Sequence, residues 1–191
     1  MNLPNILTVV RIFLTFIFVF FLYQDGLASK ILALAVFMLA SGTDFLDGYM
    51  ARKHHLISAF GKIMDPIADK FLVLSAFFVS MQMHIVSPWM FVAICAREVV
   101  VTGLRLYAMQ KGKVLAAEKA GKVKTVLQIV AVYLIIILII LAQWNIDTQW
   151  YGNLVSGLAS GIYMFMIGVV LITLWSGLAF LWNNRKGIFS V

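Results

Sequence analysis

Six times along this 191-residue chain the sequence stays apolar long enough to cross a bilayer, and little chain remains between those runs. About 20 residues at ~1.5 Å rise per residue suffice for a helical crossing. The runs fall near Ile6–Tyr23, Ser29–Arg52, Ala59–Met83, Pro88–Met109, Lys122–Ala142 and Leu154–Trp182. In hydrocarbon every backbone amide must find its partner within its own segment. The expected fold is therefore an all-α integral membrane protein, a six-transmembrane-helix bundle. A composition of 63% hydrophobic and 12% charged residues agrees with that class. No repeat, low-complexity tract or linker interrupts the pattern, so residues 1–191 are expected to form a single domain.

The net charge of +7 is unevenly placed. Arg52, Lys53 and Lys62 lie between runs two and three, Lys111, Lys113 and Lys119 between runs four and five, and Arg185 and Lys186 after run six. The alternate loops, Asp25–Lys30, His84–Ser87 and Trp144–Gly152, carry Lys30 as their one cation. By the positive-inside rule both termini face the cytoplasm of a multi-pass protein in the cell membrane. These cations border membrane runs and form no soluble patch, so no nucleic-acid partner is expected. The first run lacks a basic lead and contains Arg11, unlike a cleavable signal. The single cysteine, Cys95, excludes an intrachain disulfide and a cysteine-rich metal site.

At the amino end, Asn2–Pro4 reads as a turn before a short amphipathic segment. In it Asn5, Thr8 and Arg11 recur at helical spacing and could line one polar face. An interfacial helix whose arginine reaches toward headgroups is the alternative.

Half of the eight acidic residues crowd into one 26-residue window, as Asp44, Asp47, Asp65 and Asp69. The pattern D-x2-D-G-x2-A-R-x8-G-x3-D-x3-D lies between two apolar runs. One carboxylate in hydrocarbon costs roughly 2.5–3.5 kcal/mol on insertion scales, and four together repel one another. A divalent cation is the usual remedy. Spacings of three and four put each pair on one helix face, and an antiparallel hairpin of the second and third helices would gather all four. Carboxylate-only ligation suits a hard cation such as Mg2+ or Mn2+, and four carboxylates suffice to bridge two such ions. Gly48, Ala51 and Gly61 remove bulk beside the acids, leaving room for a phosphate-bearing ligand. Arg52 adds a guanidinium fork suited to phosphate oxygens.

The segment Asp44-Phe-Leu-Asp47-Gly48-Tyr-Met-Ala51-Arg52, followed by Gly61-Lys-Ile-Met-Asp65-Pro-Ile-Ala-Asp69, resembles without gaps the signature of the CDP-alcohol phosphotransferases. Asn5-Ile-Leu-Thr8-Val-Val-Arg11, Arg97-Glu98-Val-Val-Val-Thr102-Gly-Leu-Arg105 and Gly121-Lys122-Val-Lys124-Thr125 extend the resemblance toward the bacterial phosphatidylglycerophosphate synthases. It covers most of residues 1–135, while the last ~55 residues match in hydrophobicity alone. The resemblance implies a six-helix bundle, usually a homodimer, whose polar cavity opens to the cytoplasm and the inner leaflet. Such enzymes transfer a phosphatidyl group from CDP-diacylglycerol to an alcohol and release CMP. By resemblance, Asp44, Asp47 and Asp65 would be ligands of two divalent cations, Mg2+ or Mn2+. Asp69 would ligate metal or act as general base. Gly48, Ala51 and Arg52, with Gly61 opposite, would border the CDP moiety, and Asn5, Thr8 and Arg11 are candidate donor-site residues.

If the acceptor is glycerol 3-phosphate, its sn-1 hydroxyl attacks the phosphorus bearing diacylglycerol while Asp69 takes the proton. The acceptor is a dianion, so its pocket needs cations of its own. Arg97 and Arg105, eight residues apart, share roughly one helix face, and Arg97 turned to lipid would be costly. Arg105 and Lys122 are the expected main phosphate contacts, supported by Arg97 and Lys124. An ion pair of Arg97 with Glu98, or with one of the four aspartates, is the competing use of that arginine. Another acceptor of the same family (phosphatidylglycerol, serine or inositol phosphate) is the alternative activity. Intramembrane acids also line ion pathways, which makes a divalent-cation transporter the remoter one. Clustering of the acids at one end, instead of across the membrane depth, argues against it.

Overall fold

The computed structural model describes residues 3–54, 59–111, 119–144, 146 and 148–189, with the side chains of 3–7, 43–54, 59–63, 65, 66, 69, 119, 120 and 186–189 outside that description. Six helices form: α1 (Leu3–Tyr23), α2 (Leu27–His54), α3 (Ala59–Gln82), α4 (Pro88–Gln110), α5 (Lys119–Gln143) and α6 (Gln149–Phe189). No strand occurs among the described residues. Each expected apolar run lies within one helix, give or take a residue. Leu3 and Pro4 already belong to α1, where a first-turn proline sacrifices no hydrogen bond. Asn5, Thr8 and Arg11 therefore occupy the opening turns of one continuous helix. At 41 residues α6 is about 60 Å long, and it overruns the expected Leu154–Trp182 at both ends. Gly121–Gln143 and Gln149–Arg185 are long and apolar enough to cross a membrane, and Thr8–Tyr23, Leu27–Gly42 and Lys70–Gln82 are shorter apolar helical stretches.

The turns opposite the acid-bearing helix ends are tight, and each has a local cause. Gly26 takes φ +100° between α1 and α2, a conformation open to glycine because it lacks Cβ. Lys30, 4% exposed, donates from Nζ to the Leu22 carbonyl at 2.6 Å. That bond satisfies an orphan acceptor at the C-terminus of α1, where the helix dipole favours a cation. Extended Ser87 followed by Pro88 starts α4. The Tyr151 hydroxyl donates to the Leu141 carbonyl at 2.7 Å, tying α6 to the last turn of α5.

Because successive helices alternate in direction, positions far apart in sequence share a level of the bundle. Phe18, Phe37, Phe77, Met90, Ile94, Ile135, Met166 and Val170 meet in one close-packed apolar core at the half holding these turns. Toward the other half the buried residues turn polar: Thr8, Arg11, Glu98, Lys124, Gln128, Thr173 and Ser176. Lys111 at the end of α4 and Arg185 near the end of α6 lie at that same end. α1 packs against both α2 and α3, with Phe18 on Phe37 at 5.3 Å and Phe16 on Phe71 at 5.6 Å between ring centroids. α5 and α4 pack on α6, and α3 borders both α4 and α5. In their described parts α2 and α3 both pack on α1, and the expected meeting of the two acid-bearing ends lies outside the described side chains.

Candidate functional site

Asp44, Asp47, Gly48, Ala51 and Arg52 occupy the last three turns of α2, and Gly61, Asp65 and Asp69 the first three of α3. Helical spacing puts Asp44 beside Asp47 and Asp65 beside Asp69 on their own helices. Their side chains, like that of Asn5, lie outside the described residues. As a donor set, four carboxylates and no thiolate or imidazole fit a hard divalent cation. Among the described side chains no group of three or more His, Cys, Asp or Glu comes together elsewhere.

Directly inside these helix ends is a cavity of about 80 Å3. Arg11, Ser41, Lys70, Glu98, Thr125 and Gln128 supply its polar wall. Ser41 precedes Asp44 by one turn, and Lys70 directly follows Asp69. Arg11 and Thr8 are both 2% exposed, so the polar stripe of α1 turns into the bundle and not toward headgroups. The Ser41 hydroxyl is 2.8 Å from the Tyr133 hydroxyl, joining α2 to α5.

Beside it opens a wider cavity of about 400 Å3, lined by five cations: Lys70, Arg97, Arg105, Lys122 and Lys124. Sequence spacing nominated four of these, and the fold brings them to one wall-to-wall space from α4 and α5. Arg105 lies over the Phe180 ring at 5.7 Å, a cation–π contact that steadies its guanidinium. Arg97 donates to Ser176 Oγ at 2.9 Å and to Glu98 Oε1 at 3.3 Å, so its pairing with Glu98 and its place in the cavity coexist. Lys122 is exposed, whereas Lys124 is 2% exposed and bonded to Glu98 and, at 3.2 Å, to Gln128 Oε1.

The buried acid at this junction is Glu98, also 2% exposed. Lys124 pairs with its Oε1, and Lys70 Nζ stands 3.4 Å from its Oε2. Gln128 Nε2 approaches Glu98 Oε1 and Thr173 Oγ1, each at 3.4 Å. A buried charge is tolerable when paired and hydrogen-bonded; Glu98 Oε1 is both, while its Oε2 has the Lys70 ion pair without a hydrogen bond. Sequence reasoning noticed Glu98 solely as a partner of Arg97 and missed Lys70, Gln128, Thr173 and Ser176. A usable signal existed for Gln128, four residues after Lys124 on the same face.

Arg97 also explains a glycine. A β-carbon at Gly177 would fall 2.9 Å from Arg97 Cγ, so the arginine crosses α6 where no side chain stands.

Residues 1–183 match the family model described as CDP-alcohol phosphatidyltransferase. Among curated proteins, the chain is 42% identical over 143 residues to the Bacillus subtilis protein named CDP-diacylglycerol–glycerol-3-phosphate 3-phosphatidyltransferase, covering 69% of this chain and 74% of that one. A Cereibacter sphaeroides protein of the same name is 35% identical over 193 residues, covering 95% of this chain and 87% of its own. One from Rickettsia felis, again so named, is 38% identical over 136 residues, covering 71% and 75%. A signature on two adjoining helices, and a match that runs nearly end to end, lead to one assignment: this chain belongs to the CDP-alcohol phosphatidyltransferase family.

Proposed function

We propose that the protein transfers the phosphatidyl group of CDP-diacylglycerol to glycerol 3-phosphate, yielding phosphatidylglycerophosphate and CMP. The observation that carries this reading is the five-cation cavity beside the acid-bearing ends of α2 and α3. Its charge suits a phosphate-bearing acceptor and has no use for a zwitterion such as serine. The curated relatives carry the same activity in their names.

In this reading Arg105 and Lys122 hold the acceptor phosphate, supported by Arg97 and Lys124, through charge-assisted hydrogen bonds. Asp69 takes the proton of the sn-1 hydroxyl as that oxygen attacks the phosphorus bearing diacylglycerol. Asp44, Asp47, Asp65 and Asp69 would hold two divalent cations, Mg2+ or Mn2+, whose chemistry would be to neutralise charge on a diphosphate and its leaving group. Gly48, Ala51 and Gly61 leave space for the CDP moiety, Arg52 binds one of its phosphate oxygens, and Asn5, Thr8 and Arg11 border the donor. No covalent enzyme intermediate is required.

The proposed setting is a single domain spanning the cell membrane six times. The opening turns of α1 form its short amphipathic segment, both termini and the site face the cytoplasm, and two copies form a homodimer in membrane lipid. The test is an assay of purified protein with CDP-diacylglycerol and Mg2+, offering glycerol 3-phosphate, phosphatidylglycerol, serine or inositol phosphate in turn. CMP release dependent on glycerol 3-phosphate is the expected result. Release with another acceptor alone overturns the substrate, and divalent-ion flux without CMP overturns the enzymatic reading.

A further inference from the structure

Glu98 stands behind the cation-lined cavity, not in its wall. Lys70 from α3, Arg97 from α4 and Lys124 from α5 all line that cavity, and all three reach back to this one carboxylate. Glu98 lines the smaller cavity next door, so the three cations separate it from any ligand in the wide one. Long basic side chains carry much rotamer freedom, and a 400 Å3 space would let them swing. Tethering from behind removes that freedom before a ligand arrives, which lowers the ordering cost of binding.

We infer that Glu98 is a positioning residue for acceptor binding, holding Lys124, Lys70 and Arg97 as a fixed row of donors for the acceptor's phosphate. This rests on the reading of the wide cavity as the acceptor site. Two effects of removing the Glu98 charge oppose each other. Loss of a nearby anion would draw a dianion in more strongly, whereas loss of the tether would spoil hydrogen-bond geometry. The first acts across three intervening cations, while a hydrogen bond weakens steeply once its angle and distance are lost. Geometry wins, and the expected sign is weaker acceptor binding.

The experiment is initial-rate kinetics on the purified full chain in lipid nanodiscs, comparing E98Q, E98D, K124M, the E98Q/K124M pair and R105A. Thermal unfolding with and without glycerol 3-phosphate accompanies the rates. E98Q is expected to raise KM for glycerol 3-phosphate about tenfold, roughly the loss of one charge-assisted hydrogen bond, with KM for CDP-diacylglycerol within about twofold of the parent. E98D keeps the charge on a stem one methylene shorter and should fall between the two, which keeps the test open if E98Q does not fold. The E98Q/K124M pair should cost less than the product of the single effects, because Glu98 acts partly through Lys124.

Unchanged or lowered KM for glycerol 3-phosphate in both Glu98 variants, with R105A raising it, overturns the positioning role and leaves the site reading intact. R105A and E98Q both without effect on that KM would bring down the site reading and the positioning role together. Equal damage to both substrates, with a lower unfolding temperature and no acceptor-specific shift, marks Glu98 as structural only and likewise overturns the inference.

Discussion

Gly177 of α6 leaves the gap through which Arg97 of α4 passes, with Arg97 Cγ 2.9 Å from where a β-carbon would sit. Gly177→Ala should therefore displace the arginine near its root, where the stem cannot easily give. The expected cost is about 1–3 kcal/mol of stability, the usual range for overpacking. KM for the acceptor should rise as Arg97 leaves Ser176. Thermal unfolding and acceptor titration check both parts, and an unchanged variant would mean that α6 yields instead.

Arg105 over Phe180 gives a prediction that separates shape from charge. Arg105→Lys keeps the cation but loses the planar fork and its stacking, so acceptor KM should rise severalfold. Phe180→Leu should raise it less, by the ~0.5–1 kcal/mol of an accessible cation–π contact. The ordering of the two effects in steady-state kinetics is the check.

In the proposed mechanism Asp69→Asn removes a base and a metal ligand together, so turnover is read beside metal binding. With divalent cation saturating, kcat should fall by about 100-fold or more, in line with loss of general base catalysis. Near-normal kcat with metal still bound would refute the base assignment. Chelation with EDTA should abolish activity in the parent protein, and added Mg2+ or Mn2+ should restore it.

Lys30 makes a prediction remote from any chemistry. Lys30→Met keeps the length of the stem but leaves the Leu22 carbonyl without its donor, at an expected cost of about 1–3 kcal/mol. Unfolding temperature should drop while KM for both substrates stays put. A shift in either KM would show that the α1–α2 turn communicates with the polar end.

The six helices were legible because each long apolar run continues as one helix. The cation cavity was legible in part, since Arg97 and Arg105, and Lys122 and Lys124, declare themselves by interrupting apolar runs. Lys70 did not, because directly after Asp69 it passes for a charge belonging to the acidic cluster at the start of α3. Gln128, Thr173 and Ser176 are single polar residues whose partners depend on the rotation and register of three helices, which spacing along one helix does not encode. The length of α6 was underestimated because hydropathy ends at Trp182, whereas backbone hydrogen bonding carries on through Asn183, Asn184 and Arg185. The expected meeting of α2 and α3 falls on side chains outside the described residues.

The packing of α1 on both acid-bearing helices has a consequence for how those helices are spaced. Two phenylalanines two residues apart, Phe16 and Phe18, each press on a different acid-bearing helix, through Phe71 and Phe37. The spacing of α1 from α3 and from α2 is thus set in part by these two ring contacts. Trimming either ring would therefore loosen one of those helices on α1 without touching the other.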